Sequence, residues 1–311
     1  MSKNSLDYGD ARLYLIHALT ALHVGSGQGT GFIDLPIMRE KTTGWPIIPG
    51  SSVKGVWLDH AIKSTNESSK IKAAFGKAEH DSESDHAGSF AITDARVLLL
   101  PVRSFYGTFA YVTSPLVLTR LVRDMEMARI KTPTQVPVVQ NDSNILLTKE
   151  SVLEPKDNSA KSVVLFEDLS FKKDVNTSAS EHADKWADFL GNILFKETLK
   201  EMLRSRFAIV PDSAFDYFSQ HGTEVNTRIK IQKEKKVVEH NALWNEEYLP
   251  AETVLAGVVW CDQVYGSDQN PKALLDKFCK EPIYCQMGGK LTIGKGRVRC
   301  LFNFNREEPL K

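Results

Sequence analysis

The chain has 311 residues, of which 42% are hydrophobic, so it can bury one large core or two smaller ones. No run approaches the roughly 18 consecutive apolar residues of a membrane helix, and the N-terminal region lacks the pattern of a secretory signal. Its 39 basic residues balance its 39 acidic residues, which argues against a uniformly basic nucleic-acid-binding surface. We therefore expect a cytoplasmic protein without a membrane partner. The four cysteines include no CxxC pair, so their spacing does not indicate a zinc site: Cys261, Cys279, Cys285 and Cys300.

The first half of the chain predicts a strand, a loop and a helix, followed by two strands and a second helix. Rough alternation of apolar and polar residues at 11–24 predicts the opening strand, and the glycines that end it predict a loop. Ser51 or Ser52 is expected to cap the following helix, because a serine hydroxyl can accept from free N–H groups of the first turn. The patterns at 89–126 then predict strand, turn, strand and helix.

The second half begins with a polar, irregular stretch at about 131–185, which we interpret as a partly disordered insertion on the core. An amphipathic helix is predicted over 184–206. After it we expect a short strand, a charged hairpin, a buried strand, a helix and a final strand preceded by glycines, over 207–211, 224–250, 251–264, 270–281 and 284–304. This irregular alternation indicates an α+β fold and not a doubly wound sheet.

A run of alternating glycines precedes a single carboxylate, Asp34: Gly25, Gly27, Gly29 and Gly31. Such a run does not stabilise a strand, and Thr30 breaks the GxGxxG pattern of a dinucleotide site. We interpret it as a mobile loop, or as a backbone that a ligand touches. His23 lies beside this loop and is either catalytic or a structural histidine.

Two further segments have features of an anion site. Lys54 falls in the first turn of the helix after the Pro-Gly turn, where N–H groups are free, although an ordinary helix cap explains the pattern equally well. The segment GKLTIGKG (289–296) begins like a phosphate-binding loop, but Gly296 replaces the magnesium-binding hydroxyl and strand-like residues follow. This argues against an ATPase. The segment is a plain tight turn or a basic loop that can approach a phosphodiester, with cations at Lys290, Lys295, Arg297 and Arg299.

The predicted hairpin at 224–250 is rich in cations and is either an arm for a nucleic acid or a solvated hairpin. Isoleucines alternate with its basic residues, which are Arg228, Lys230, Lys233, Lys235 and Lys236. The segment HDSESDH (80–86) contains enough histidines and acids for a metal site, but a solvated loop is the simpler interpretation.

The order of these segments resembles one family. The blocks are HVGSG, GFIDLPIMRE, TGWPIIPGSSVKG, SFAITDARVLLLPVRSFYGTFAYVTSPLVLTR, NALWNEEYLP and GGKLTIGKGRVRC. Together they are similar to the repeated backbone subunit of the type III-B, Cmr-type CRISPR effector complex, in the RAMP superfamily. The resemblance implies a single RAMP-type domain over 1–311 with a modified RNA-recognition-motif (ferredoxin-like) core. It also implies a lid insertion at about 131–185 and a projecting thumb β-hairpin at about 222–250.

The resemblance also implies partners and a reaction. Such subunits bind guide CRISPR RNA, polymerise along it beside copies of themselves and other subunits of the Cmr-type complex, and cut complementary single-stranded target RNA at regular intervals. The catalytic residue carried over is Asp34, in the context IDLP, where it would also bind the divalent metal, Mg²⁺ or Mn²⁺. His23, Glu246 and Glu247 are candidate helpers. RNA-binding residues are expected at Gly25, Ser26, Gly27, Arg39, Ser51, Ser52, Lys54, Arg228, Lys230, Gly289, Lys290, Lys295 and Arg297.

The implied chemistry needs no external nucleophile. The 2′-hydroxyl of RNA attacks the adjacent phosphorus once an unstacked nucleotide lets the reacting atoms line up, and a nearby carboxylate accepts a proton or holds a metal. Two alternatives remain open. One is a non-catalytic guide-RNA scaffold in which Asp34 only structures its loop, and the other is a monomeric guide-precursor processing endoribonuclease that acts through His23.

Overall fold

The computed structural model describes residues 10–76, 87–155, 163–174, 177–232 and 238–303. Its strands are β1 (Asp10–Ala18), β2 (Ile47–Ile48), β3 (Ala91–Ile92), β4 (Ala95–Arg103), β5 (Phe109–Thr113), β6 (Asn144–Leu147), β7 (Val163–Phe166), β8 (Leu169–Lys173), β9 (Phe207–Ile209), β10 (Glu224–Ile231), β11 (Val238–Tyr248), β12 (Val254–Cys261), β13 (Ile283–Gln286) and β14 (Arg297–Asn303). Its helices are α1 (Gly50–Ser64), α2 (Ser68–Phe75), α3 (Pro115–Met127), α4 (Thr177–Leu194), α5 (Thr198–Arg206), α6 (Asp212–His221) and α7 (Pro271–Phe278).

Most strands form one mixed sheet of 12 strands, in the order β13-β14-β1-β12-β4-β5-β9-β6-β8-β7, with β2 added on β4 and β3 on β12. β1 pairs antiparallel with both β12 and β14. Every residue of β1 after Asp10 is buried, including Arg12 and His17, so both faces of the strand are covered. Among the described residues, no helix has the length and apolarity needed to cross a bilayer. The mixed architecture agrees with the α+β class at this level, and a single domain over 1–311 stays a prediction.

The hairpin of β10 and β11 is a separate two-stranded sheet. Its antiparallel register places Arg228 opposite Trp244 and Ile229 opposite Leu243. Because side chains alternate along a strand, Trp244 and Glu246 share one face of the hairpin while Leu243 lies on the other. The hairpin prediction over 224–250 is therefore confirmed for the described residues, and the lysines at its tip lie outside them.

Several predicted boundaries were wrong because pairing partners distant in sequence decide them. The opening strand ends at Ala18, since the chain then turns away and Leu22 forms an isolated bridge with Leu249. The stretch at 131–185 supplies β6, which pairs antiparallel with β9 and carries the fully buried Ile145 and Leu147, and its status as an insertion stays a prediction. The predicted helix over 184–206 is two helices, α4 and α5.

The start of α1 differs from the prediction in its cap. Pro49 occupies the N-cap position, and the hydroxyls of Ser51 and Ser52 do not cap the helix. The N–H of Gly50 instead donates to Asp94 Oδ1 across 2.8 Å. A carboxylate of the protein itself therefore neutralises this positive helix end, as an anion would.

Candidate functional site

The loop that contains Asp34 lies along the base of the hairpin. Asp34 is exposed, and its Oδ2 accepts a hydrogen bond from the backbone N–H of Asn245 at 2.7 Å. On the next residue, the N–H of Leu35 donates to the carbonyl of Asn245, and the carbonyl of Leu35 accepts from the N–H of Glu247. These bonds form a parallel bridge between the loop and β11. The carboxylate of Asp34 is therefore fixed by the backbone of β11, and the loop that carries it is itself hydrogen-bonded to that strand.

The glycines shape this loop instead of only loosening it. The N–H of Gly29 donates to the carbonyl of Asp34 at 2.9 Å, and a Cβ on Gly29 would lie 2.5 Å from the carbonyl oxygen of Ile33. Gly27 has φ +101°, a conformation that side-chain-bearing residues rarely adopt. Gly31 has neither constraint. The loop predicted to be mobile is thus folded back on itself by hydrogen bonds.

His23 lies beneath both glycine loops. It is only 6% exposed, and its Nδ1 is 2.7 Å from the carbonyl oxygen of Glu247. Because a carbonyl only accepts, Nδ1 carries the proton and Nε2 of the neutral ring keeps a lone pair. A Cβ on Gly25 would lie 2.8 Å from Nε2, and the carbonyl of His23 accepts from the N–H of Gly289. These contacts are those of a structural histidine, and its role as a catalytic helper stays a prediction.

Glu246 is buried in a cluster of donors. It is 2% exposed, and its oxygens accept from Lys290 Nζ at 2.5 Å, Trp244 Nε1 at 2.7 Å, Arg228 Nε at 3.3 Å and the hydroxyl of Tyr248. Burial by itself would raise the pKa of this carboxyl, but the hydrogen bonds from Lys290, Tyr248 and Trp244 outweigh it and bring the pKa to about 2. Glu246 is therefore an ionised anchor that joins the hairpin to the terminal glycine loop.

Glu247 is the corresponding anchor on the opposite face of β11. It is buried and accepts from Arg39 NH2 at 2.5 Å, from Thr223 Oγ1 at 2.9 Å and from the N–H of Ile37 at 3.0 Å. Arg39 also donates to the carbonyl of Ser219. The sequence predicted that Arg39 binds RNA and that Glu247 assists catalysis. In the structure the two side chains form an ion pair with each other.

The structure collects several predicted RNA-binding residues around this cluster and leaves others elsewhere. Lys295 lies with its Nζ 4.9 Å from the ring centroid of Tyr248, and Arg297 is exposed at the start of β14. Lys54 belongs to α1 and donates to the carbonyl of Phe90 at 2.9 Å, and burial lowers its pKa. Gly25 and Gly289 contact His23, and Ser26 and Gly27 lie in the loop that contains Asp34. Arg228 and Lys290 donate to Glu246. Ser51 and Ser52 accompany Lys54 on α1, and Lys230 is exposed on β10.

Sequence reasoning missed four contributors, namely Asn245, Trp244, Tyr248 and Thr223. The alternation in NALWNEEY contained a signal for two of them, because it places both aromatic rings on the same face as Glu246. Nothing in the sequence indicated that the backbone of Asn245 would hold Asp34, since 211 residues separate the two.

The carboxylates suit a cation only in part. In the described ranges, no group of three or more His, Cys, Asp or Glu side chains is arranged to hold a metal ion, and the segment 80–86 lies outside these ranges. Asp34 offers one exposed carboxylate, of which Oδ2 is already a hydrogen-bond acceptor. Because Mg²⁺ is often held by one or two carboxylates together with substrate phosphates, Asp34 fits as the protein's share of such a site.

Comparison with known proteins places this architecture in a family. A family model described as the RAMP superfamily matches residues 15–299. The chain therefore belongs to the RAMP superfamily.

Within it, the chain is similar to Cmr4. The Cmr endoribonuclease Cmr4 of Pyrococcus furiosus is 33% identical over 306 residues, which cover 93% of this chain and 94% of that protein. The crystal structure of oligomeric Cmr4 from the same organism matches with a TM-score of 0.71 at 27% identity, over 94% and 98% of the two chains. A chain of the type III-B Cmr-beta complex bound to cognate target RNA shares the fold, with a TM-score of 0.71 at 22% identity over 95% and 98%. The resemblance identified from the sequence is confirmed.

Proposed function

We propose that this chain is the repeated backbone subunit of a type III-B CRISPR RNA-guided complex. In this role it binds guide RNA, polymerises along it with copies of itself, joins other subunits of a Cmr-type complex and cuts complementary target RNA at regular intervals. The endoribonuclease name of the Pyrococcus relative and the oligomeric form of its crystal structure support this proposal. The observation that carries it is an exposed carboxylate, Asp34, fixed by Asn245 at the base of a hairpin that forms its own sheet.

The same proposal assigns the parts of the fold. The large sheet contains a modified RNA-recognition-type core, the segment at about 131–185 is the lid, and the hairpin at about 222–250 is the thumb. The separation of β10 and β11 from the large sheet supports the thumb assignment. On this arrangement the thumb enters the guide–target duplex and displaces one target nucleotide beside Asp34.

The proposed reaction is attack of a 2′-hydroxyl on the adjacent phosphorus. The 2′-oxygen forms a bond to phosphorus, the bond to the 5′-oxygen breaks, and the 5′-oxygen takes up a proton from water, so the products are a 2′,3′-cyclic phosphate and a 5′-hydroxyl. Displacing a nucleotide lets the attacking and leaving oxygens line up, which is catalysis by orientation. Asp34 accepts the hydroxyl proton or positions the group that does. Mg²⁺ or Mn²⁺, when bound at Asp34 together with the RNA, would offset the charge that develops on the phosphate.

The geometry of His23 does not support the guide-precursor nuclease. A guide-precursor nuclease would need this ring to reach RNA, but it is buried beneath the glycine loops with Nδ1 bonded to a carbonyl. A scaffold without catalysis would bind RNA but leave the target uncut, so a cleavage assay distinguishes it from the proposal.

The test is reconstitution of the complex with end-labelled complementary RNA, in EDTA and in Mg²⁺ or Mn²⁺. The wild-type protein should give evenly spaced fragments in the presence of metal. Asp34→Asn should keep target binding and lose cutting by at least about 100-fold, the scale of one general acid–base group. Asp59→Asn, which changes an exposed aspartate on α1, is the matched control and should cut normally. Undiminished cutting by Asp34→Asn would refute the assignment.

A further inference from the structure

A phenylalanine next to Asp34 is unusually exposed. The side chain of Phe32 is 83% exposed, the highest value among the exposed large hydrophobic residues of the described ranges. A fully exposed phenylalanine forgoes about 1.5–3 kcal/mol of burial, although single exposed apolar residues are common. Exposure alone therefore does not indicate a binding role for Phe32, and the neighbouring residues have to be considered.

The backbone beneath Phe32 is anchored to the residue that holds Asp34. Asn245 donates from its side-chain Nδ2 to the carbonyl of Phe32 at 3.2 Å and from its backbone N–H to Asp34 Oδ2 at 2.7 Å. The remaining side-chain atom of Asn245, Oδ1, accepts from Thr227 Oγ1 at 2.8 Å. One residue thus sets the spacing between an exposed aromatic ring and an exposed carboxylate.

The adjoining face of the hairpin is apolar and offers little for reading a base edge. Leu243 precedes Asn245 by one step on the same face of β11, and Ile229 lies directly opposite Leu243. Both are exposed. The polar pair on this face, Asn245 and Thr227, bond to each other. Such a surface accepts the flat face of any nucleobase, because stacking on an aromatic ring tolerates every sequence.

We infer that the ring of Phe32 stacks on the base of the unpaired target nucleotide next to the scissile phosphodiester. This inference rests on the proposed function, and it deepens it by naming the group that holds the displaced nucleotide. The ligand is a nucleobase of any identity, as guide-directed cutting requires. With the base held on Phe32, its ribose and the adjacent phosphate are kept beside Asp34, and the 2′-hydroxyl stays in line for attack.

The test uses Phe32→Leu, which keeps an apolar side chain, and Phe32→Trp, which keeps an aromatic one. In the reconstituted complex, single-turnover cutting by Phe32→Leu should fall roughly 5- to 150-fold, the range for loss of one base–aromatic stack. Because the lost stack also contributes to binding, affinity for the target should fall by no more than the same factor, and cutting is therefore measured with the complex at saturating concentration. Phe32→Trp keeps an aromatic ring and should cut at close to the wild-type rate. Phe105→Leu, which alters a ring that is 73% exposed on the β4–β5 turn, is the control and should cut at the wild-type rate.

A second measurement does not depend on cutting. In the Asp34→Asn background, a target carrying 5-iodouridine at the displaced position should photocrosslink to the Phe32 ring, and Phe32→Leu should remove that crosslink. Wild-type rates and an unchanged crosslink in Phe32→Leu would overturn the stacking role while leaving the proposed function intact. A crosslink at Phe32 in a wild-type complex that never cuts would support stacking and refute the proposed nuclease function.

Discussion

On the hairpin, Glu246 Oε1 accepts a hydrogen bond at 2.5 Å from Nζ of Lys290, which lies in the terminal glycine loop. This pair joins β11 to a segment more than 40 residues later, just as Asn245 joins β11 to the first glycine loop. The base of the hairpin is therefore the point at which both loops are fixed. Disturbing one of these contacts should alter the position of the others.

Lys290→Met should lower the free energy of unfolding by about 1.5–3 kcal/mol, the usual scale for a hydrogen bond to a charged group. The buried Glu246 would keep its other donors but lose its nearest cation. Urea denaturation measures the change. Lys63→Met breaks an exposed pair with Asp59 on α1 and should cost less than about 0.5 kcal/mol. Equal losses in the two variants would contradict the structural role of Lys290.

Glu246 should make stability depend on acid pH. Its folded-state pKa of about 2 lies below the ordinary value of 4.5, so its contribution is complete above about pH 4.5 and disappears as the pH falls toward 2. Unfolding measured at several pH values between 5 and 2 should show a loss of up to about 3 kcal/mol from this group. Glu246→Gln, less stable at neutral pH, should show a flatter profile over that interval. A parallel profile would argue against the low pKa.

Gly25→Ala and Gly31→Ala make a matched pair within the first glycine loop. A methyl group on Gly25 would lie 2.8 Å from Nε2 of His23, whose ring is already bonded to a carbonyl, while one on Gly31 meets no atom within 4 Å. We expect Gly25→Ala to cost about 1–3 kcal/mol and to reduce cutting, because His23 and the loop must shift. Gly31→Ala should stay within about 1 kcal/mol of wild type. Thermal melts and cleavage assays on both variants check this.

Asp94→Ala should destabilise the protein by about 1 kcal/mol, because it removes the acceptor for the N–H of Gly50 at the start of α1. Ser51→Ala should be nearly neutral, since the hydroxyl of Ser51 does not cap the helix. Denaturant midpoints of the two variants distinguish these roles. A larger effect from Ser51→Ala would restore the cap predicted from the sequence.

Arg297→Ala should weaken RNA binding without lowering stability. Arg297 is exposed, so its charge is available to a phosphate, and its removal should reduce the salt dependence of binding by about one unit of slope. Arg39→Ala provides the contrast, since it removes the partner of the buried Glu247 and should cost about 3–5 kcal/mol. Filter binding at several salt concentrations, together with melting curves, separates the two. An unchanged slope for Arg297→Ala would remove Arg297 from the RNA surface.

Local patterns in the sequence predicted the hairpin and the strands at 89–113, because alternation and turn residues act over short distances. The IDLP context singled out Asp34 through the family resemblance. The anchors were not predictable in this way. The partner of Glu246 is set by the packing of the terminal loop, and β6 entered the sheet by pairing with β9 in spite of its polar surroundings. Such choices depend on tertiary contacts and not on local propensity.

The hydrogen bond between Asp34 and Asn245 also has a temporal consequence. A ribosome makes Asp34 long before it makes Asn245 and Lys290, which complete the base of the hairpin. Until β11 has been synthesised, the carboxylate of Asp34 lacks the backbone N–H of Asn245 that holds it. If Asp34 cuts RNA as we propose, a nascent chain surrounded by ribosomal and messenger RNA does not hold this carboxylate in its final position until β11 has been made.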